Sequence, residues 1–469
     1  MPGFFRMRLL RTLRGWLPQY RENLSLAVPV MLSQVGQVVV QLFDNAMVGR
    51  LGALPLAAVS FGGAVFVIFL FWGTGLSMGL TPLVGEMYAR RDYRSSARLL
   101  QNALTLYGGV GIVLFAILWV LGDFLGSMGQ SPEVAELARP YYGYLAWSVV
   151  PFMLFAAFKQ FLEGIGNTIT GMVVVLTANG VNILFNYLLI YGHWGFPEMG
   201  AAGAGLATLI SRICMPLFTL GYFLSVPSLR RYFLFFAWIA QGWRTTRRLL
   251  AVGLPISMQM VLEVSAFALT LIMMGWIGTV PLAAHQVVLS LSNIVYMVVV
   301  GISAATTIMV SHRYGAGDYR GMRRAALASW HLGIVANLLT MACFVAFRRF
   351  LPELFTSDRA VIGVAAQLFL MAALYQIPDG LQTIALGVLR GMQDVRITMY
   401  YAFVSYIVIN LPVGYFCGVG CTRALGRLHR RALYRGLPAD PPLPAAVPAT
   451  DIGLISGYRL FPDRISTGN

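Results

Sequence analysis

Long apolar stretches alternate with short polar ones along this chain. Eleven apolar blocks run at about 24–48, 56–84, 99–121, 141–162, 169–191, 200–226, 247–277, 282–311, 325–347, 361–389 and 397–418. Each is long enough for a helix to cross a hydrocarbon core of about 30 Å. The pattern predicts an all-α polytopic membrane protein whose helices bend where they hold Gly and Pro. Composition agrees: 58% of residues are hydrophobic and 11% charged, where a soluble domain carries charge at roughly a quarter of its positions.

The net charge of +16 comes almost entirely from arginine, Lys159 being the only lysine. These residues form no single patch, so a nucleic-acid partner is not expected. They cluster between blocks: Arg90, Arg91, Arg94 and Arg98 after the second, Arg230, Arg231, Arg244, Arg247 and Arg248 after the sixth, Arg313, Arg320, Arg323 and Arg324 after the eighth. The loops between are poorer in arginine, with 348–359 a weak exception. By the positive-inside bias the N-terminus is cytoplasmic. Residues 1–23 are basic and lead into a retained first helix rather than a cleaved signal. The four cysteines suggest no disulfide framework, since Cys214 and Cys343 lie inside apolar blocks.

The chain also repeats itself. At an offset of 226, Pro29 falls on Pro255, Gly49 on Gly275, Gly52 on Gly278, Pro55-Leu56-Ala57-Ala58 on Pro281-Leu282-Ala283-Ala284, Gly75 on Gly301, and Asp92-Tyr93-Arg94 on Asp318-Tyr319-Arg320. One further residue of shift aligns Pro151 with Pro378 and Gly164 with Gly391. Apolar bias alone would not place Gly, Pro and Asp-Tyr-Arg in register. Two six-helix repeats result, and an even number makes the duplication parallel, with a central cavity between the halves. The expected organisation is a basic N-terminus (1–23), an N-terminal lobe (24–226), a cytoplasmic linker (227–246), a C-terminal lobe (247–418) and an atypical tail (419–469).

The tail breaks the pattern. A twelfth helix is due near 426–451, but that stretch is basic and then proline-rich, from Arg427 through Pro438, Pro441, Pro442, Pro444 and Pro448. The twelfth helix is therefore missing or replaced. A reading-frame change downstream of Cys417 is one explanation, in which case another frame of the coding DNA restores an apolar segment; a genuine extramembrane tail is the other.

Carboxylates at bilayer depth are functional candidates, because an unpaired charge there costs several kcal/mol. Glu263 lies mid-way along the seventh block and Asp379 follows Pro378 in the tenth, where Pro-Asp-Gly should free backbone carbonyls. Asp44 sits late in the first block. Asn182 and Asn186 share one face of the fifth helix, as do Asn179 and Asn182. Amide oxygens so stacked suit a hard cation or serve as interhelical glue. Gln286, Tyr296, Phe71 and Trp72 are candidates for lining a substrate cavity, with plain packing as the alternative. The intramembrane charges read as acidic.

Asp44-Asn45-Ala46-Met47-Val48-Gly49, the Pro-Leu-Ala-Ala runs and Leu389-Arg390-Gly391-Met392-Gln393-Asp394, with the duplicated plan, together resemble the multidrug and toxic compound extrusion (MATE) transporters, in particular their NorM-like bacterial branch. The resemblance covers about residues 20–418 and implies a monomeric, multi-pass protein of the bacterial inner membrane that exports organic cations and other drugs by exchange for Na⁺ or H⁺. It implies cation-coupling roles for Glu263, Asp379, Asp44, Tyr375, Asn182 and Asn186, with Glu263 and Asp379 as ligands if the ion is Na⁺, and no further cofactor. An ATP-driven pump is excluded because Lys159 sits in no phosphate-binding loop. An enzyme is not expected, since the histidines show no metal-ligand spacing. The rivals are a lipid-linked-precursor flippase, which would carry intramembrane arginines instead, and an inactive remnant.

Overall fold

A computed structural model describes residues 2–235, 242–410 and 412–413, which form helices and connecting turns with no strand. In chain order these are α1 (Pro2–Gly49), α2 (Ala53–Met78), α3 (Leu80–Ala89), α4 (Tyr93–Asp123), α5 (Pro132–Gly164), α6 (Thr168–Tyr191), α7 (Ala201–Ser225), α8 (Pro227–Leu234), α9 (Trp243–Ile277), α10 (Thr279–Gly315), α11 (Tyr319–Phe347), α12 (Phe350–Glu353), α13 (Arg359–Gly391) and α14 (Arg396–Ala402). Among the described residues ten helices are long and apolar enough to cross a membrane, with α2 and α3 joining into one span, Ala53–Ala89. The eleventh block begins as α14 and continues as a π-helical stretch, Phe403–Asn410. The expected change at 419–469, and with it the missing twelfth helix, lies outside the described residues.

Two connecting segments hold helices. The basic N-terminus is helical from Pro2 and continuous with the first span. Within it, Tyr20 hydrogen-bonds His331 at 2.9 Å and Glu22 pairs with Arg313 at 2.6 Å. The inter-lobe linker starts as helix α8, with Pro227 in the first turn, where its missing N–H costs nothing. Leu229 and Tyr232 are buried there, and the Arg231 guanidinium stacks 4.2 Å over Tyr93.

The repeat recurs in three dimensions, residue for residue. Gly52 and Gly278 enter α2 and α10 with φ of 128° and 148°, a conformation only glycine adopts freely, each followed by the Pro-Leu-Ala-Ala run. Asp92 and Asp318 cap α4 and α11, accepting from the Ser95 amide at 3.0 Å and the Gly321 amide at 2.8 Å. Thr81 donates to the Gln160 carbonyl at 3.1 Å and Thr307 to the Gly387 carbonyl at 3.0 Å, on helices that correspond.

The seams between the lobes obey the same relation. Gly75 on α2 packs against α9, where an added Cβ would lie 2.6 Å from the Ser257 Cα, and Gly301 on α10 packs against Met31 on α1. The counterpart of Ser257 is Met31, so the α2/α9 and α1/α10 seams are images of one another. Gly85 meets its own counterpart, Ser311, which puts the pseudo-twofold axis between them. Spans that enter from one face and repeat about such an axis make a parallel duplication.

The seams carry ion pairs at one end, and α1 is uncovered towards the other. At the face carrying the arginine-rich loops, buried Glu86 on α3 accepts from Arg90 at 2.7 Å, from Arg248 on α9 at 2.6 Å and from Gln393 at 2.7 Å. Arg313 on α10 reaches Glu22 on α1 across the other seam. Towards the opposite face α1 loses its cover. Leu32, Val39 and Phe43 are exposed on one side of it, and Gln37, Gln41 and Asn45, spaced by four, are exposed on the other. Amides spaced like this inside a span face water rather than lipid.

The caps allow a first test. The Ser95 hydroxyl and amide that donate to Asp92, with Arg98 and Arg94 nearby, hold its carboxyl below the usual carboxylate range. A depressed pKa means that the cap is at full strength above the unfolded value near 4 and weakens only as acid protonates it. Asp92→Ala should lower stability by about 1 kcal/mol at neutral pH, with the difference from the parent vanishing in strong acid. Thermal unfolding in detergent against pH measures this.

Candidate functional site

The residues singled out in the sequence fall into two groups, one in each lobe. In the N-terminal lobe, Asn186 on α6 donates through Nδ2 to the Asp44 carboxylate on α1 and to Asn182 Oδ1 at 3.0 Å. Asn182 Nδ2 in turn donates to Thr208 on α7 at 3.3 Å. The i, i+4 spacing of the two amides produces this chain. Asn179 does not join it; its side chain lies against Gly36 instead.

In the C-terminal lobe, the Tyr296 hydroxyl on α10 donates to Glu263 Oε1 on α9 at 2.9 Å. Asp379 on α13 lies within electrostatic reach of Glu263. Tyr375, one turn before Asp379, lies beside Ser292 and is 40% exposed. Gln382 donates to the Tyr406 hydroxyl at 3.4 Å. Tyr375, Pro378 and Gln382 form an exposed stripe on α13, and Asp379 sits at its edge.

The remaining candidates fall as follows. α13 is unbroken through Pro378, and the Asp379 carbonyl accepts the Thr383 hydroxyl at 3.0 Å; Pro378, lacking an N–H, still leaves the Leu374 carbonyl without its helical donor. Tyr296, a cavity candidate, stands at the carboxylates, its hydroxyl on Glu263. Trp72 packs against the main apolar core and its carbonyl accepts the Ser257 hydroxyl at 2.6 Å, because α2 lies on α9 at that level. Phe71 is partly buried, and Gln286 is exposed near the start of α10, well over two turns from Tyr296.

The intramembrane charges are also not all acidic. Arg212 lies mid-way along α7, donating to the Ser148 hydroxyl at 2.8 Å and stacking 5.0 and 5.3 Å from the Phe66 and Phe152 rings. Its charge acts on Asp44. Arg390, in the last turn of α13, donates to Gln259 Oε1 at 3.0 Å, and Gln259 sits one turn before Glu263. A charged residue inside the sixth apolar block was visible in the sequence. The reach of Arg390 to Gln259 needed the packing of α13 on α9.

Among the described residues no three His, Cys, Asp or Glu side chains gather as metal ligands. A monovalent cation at Glu263 and Asp379 would complete its shell with neutral oxygens such as those of Tyr296 and Tyr375.

The MatE family model matches residues 29–188 and again 255–416. The chain belongs to the MATE family. The two matches begin 226 residues apart, the offset of the internal repeat. Among curated relatives, a probable multidrug resistance protein NorM of Rhizobium meliloti is 33% identical over 417 residues, covering 88% of either chain. Multidrug resistance protein NorM of Photobacterium profundum is 32% identical, covering 85% of this chain and 88% of its own length. MdtK of Edwardsiella ictaluri, also named a multidrug resistance protein, is 31% identical, covering 84% and 87%. The fold is that of solved MATE transporters. One in an outward-facing conformation superposes with a TM-score of 0.77 at 19% identity, over 89% of this chain and 97% of its own. The Vibrio cholerae transporter VcmN, as an aspartate-to-asparagine mutant, superposes with a TM-score of 0.78 at 16% identity, over 90% and 98%.

Proposed function

We propose that this MATE protein exports cationic and amphipathic drugs in exchange for Na⁺ or H⁺, with Glu263 and Asp379 as the seat that coupling cation and cargo occupy in turn. It is a multi-pass drug-efflux transporter, and the observation that carries the finer reading is that two mid-span carboxylates, Glu263 on α9 held by Tyr296 and Asp379 on α13, lie within electrostatic reach of each other near an exposed tyrosine. Charges buried at that depth persist only where they are paired or wetted for use.

The cycle follows from the two ends of the seams. With the arginine-rich face taken as cytoplasmic, the lobes are sealed inside and parted outside, so the carboxylates meet the external medium. An incoming cation neutralises them, a cationic drug loses its counter-charge and leaves, and the loaded protein closes outside and opens inside. The membrane potential adds about 2.3 kcal/mol per 100 mV for each net charge moved inward, so it assists export of a monocation only where more than one coupling cation enters; a one-for-one exchange draws on the ion's concentration gradient. Arg390 offsets one of the two carboxylates, which leaves the C-terminal cluster with a net negative charge and suits a cation rather than the pyrophosphate of a lipid-linked precursor.

The test is ethidium uptake into everted vesicles under imposed Na⁺ or H⁺ gradients. Uptake should follow one of the gradients and stop when it is collapsed. Uptake indifferent to both ions would overturn the proposal.

A further inference from the structure

A single turn touches both the carboxylate cluster and the inter-lobe clasp. Arg390 donates to Gln259 Oε1 at 3.0 Å. Gln259 is buried, 1% exposed, and sits on the face of α9 that carries Glu263 one turn later, its side chain beside that carboxylate. Arg390 also keeps a buried Nε–H without a partner. Three residues on, Gln393 accepts from Arg248 of its own lobe at 3.1 Å and donates through Nε2 across the lobe boundary to Glu86 Oε2 at 2.7 Å.

The link between the two is stiff. The Gln393 amide bonds to the Arg390 carbonyl at 2.9 Å and the Asp394 amide to the Leu389 carbonyl at 3.0 Å. Gln393 holds φ at 64°, a left-handed conformation that costs a side-chain-bearing residue energy. The corresponding turn of the first repeat puts Gly166 there, at φ of 86°. In that repeat the counterpart of Arg390 is Glu163, tied to Lys159 on its own helix at 3.5 Å. The second repeat alone accepts the strain, and the glutamine side chain it keeps is the one that crosses to Glu86.

We propose that Arg390 is a positioning residue for Glu263, and that the Arg390–Gln393 turn transmits the occupancy of the cation seat to the clasp between the lobes. The proposal rests on the reading that Glu263 and Asp379 bind the coupling cation. With Glu263 ionised, Gln259 and Arg390 are drawn towards it and the turn holds Gln393 on Glu86. Neutralising Glu263 removes that pull, the strained turn relaxes, Gln393 leaves Glu86 and the arginine-rich face is free to part. The other ionisable groups facing this cluster are Tyr296 from α10, Tyr375 and Asp379 from α13, and Tyr406. None of them joins it to Glu86.

The test is the distance between spin labels at Arg94 and Tyr319, exposed on either side of the seam, in full-length protein whose four cysteines are replaced. Adding the ion that drives transport, Na⁺ or H⁺, should lengthen that distance in the parent. Arg390→Met should lose the response, Arg390→Lys should keep part of it, and Gln259→Met, a second way to cut the link if Arg390→Met folds poorly, should lose it too. A parent-like response in Arg390→Met or Gln259→Met overturns the proposal. If the response instead survives in Glu263→Gln/Asp379→Asn, the cation seat itself is misplaced, which is a separate failure.

Discussion

Glu263→Gln, and separately Asp379→Asn, should reduce gradient-driven ethidium efflux more than about tenfold while leaving the protein inserted and folded. Both changes are nearly isosteric. In Glu263→Gln the hydroxyl of Tyr296, 2.9 Å away, keeps an oxygen to donate to, so the packing of α9 on α10 has little reason to change. What disappears is a negative charge at mid-span. A neutral amide neither attracts a cationic drug nor binds and releases a cation, so the two ligands lose the site through which each expels the other. Asp44→Asn differs, because Asp44 is held by Asn186 and faces the charge of Arg212. Abundance and thermal unfolding of each variant in detergent separate loss of transport from loss of fold.

The second large effect concerns the clasp. Glu86→Ala should destabilise the sealed state by about 2–3 kcal/mol, because it strands Arg248, Arg90 and Gln393 around a vacated buried position; the half-exposed arginines recover part of the loss from water. The expected result is a shift towards a parted arginine-rich face, read as faster labelling of a cysteine placed beside the seam by a thiol reagent that cannot cross the membrane, together with weaker drug accumulation. Arg313→Ala, at the corresponding place on the other seam, should do the same to a smaller degree, since Glu22 is itself 40% exposed. Labelling rates equal to the parent's in Glu86→Ala would show that the apolar packing at Gly75 and Gly301 seals the seams without help from the charges.

Much of the fold was legible because membrane spans announce themselves in block length, and the duplication because Gly, Pro and Asp-Tyr-Arg recur where turns and caps require them. Gly52 and Gly278, and Asp92 and Asp318, act in space as their register implied. Glu263 and Asp379 stood out because charge in an apolar block is expensive. Only the family resemblance grouped Glu263 with Asp379; the packing of α9, α10 and α13 added Tyr296 to them and kept Asp44 with the asparagines in the other lobe. The clasp escaped notice for the same reason, since Glu86 lies 162 residues from Arg248 and 307 from Gln393. Trp72 shows the limit of residue type as a guide, for an aromatic at helical spacing serves a core as readily as a cavity.

The most direct test of the account is equilibrium binding of ethidium to purified protein as Na⁺ is added or the pH is lowered. If cation and drug compete for Glu263 and Asp379, the ion that drives transport raises the apparent Kd of ethidium at least tenfold, about 1.4 kcal/mol of coupling, and the drug weakens binding of the ion by the same factor. That effect should vanish in Glu263→Gln/Asp379→Asn. A Kd that stays constant across ion concentrations that support transport, or that responds equally in parent and double variant, would contradict it.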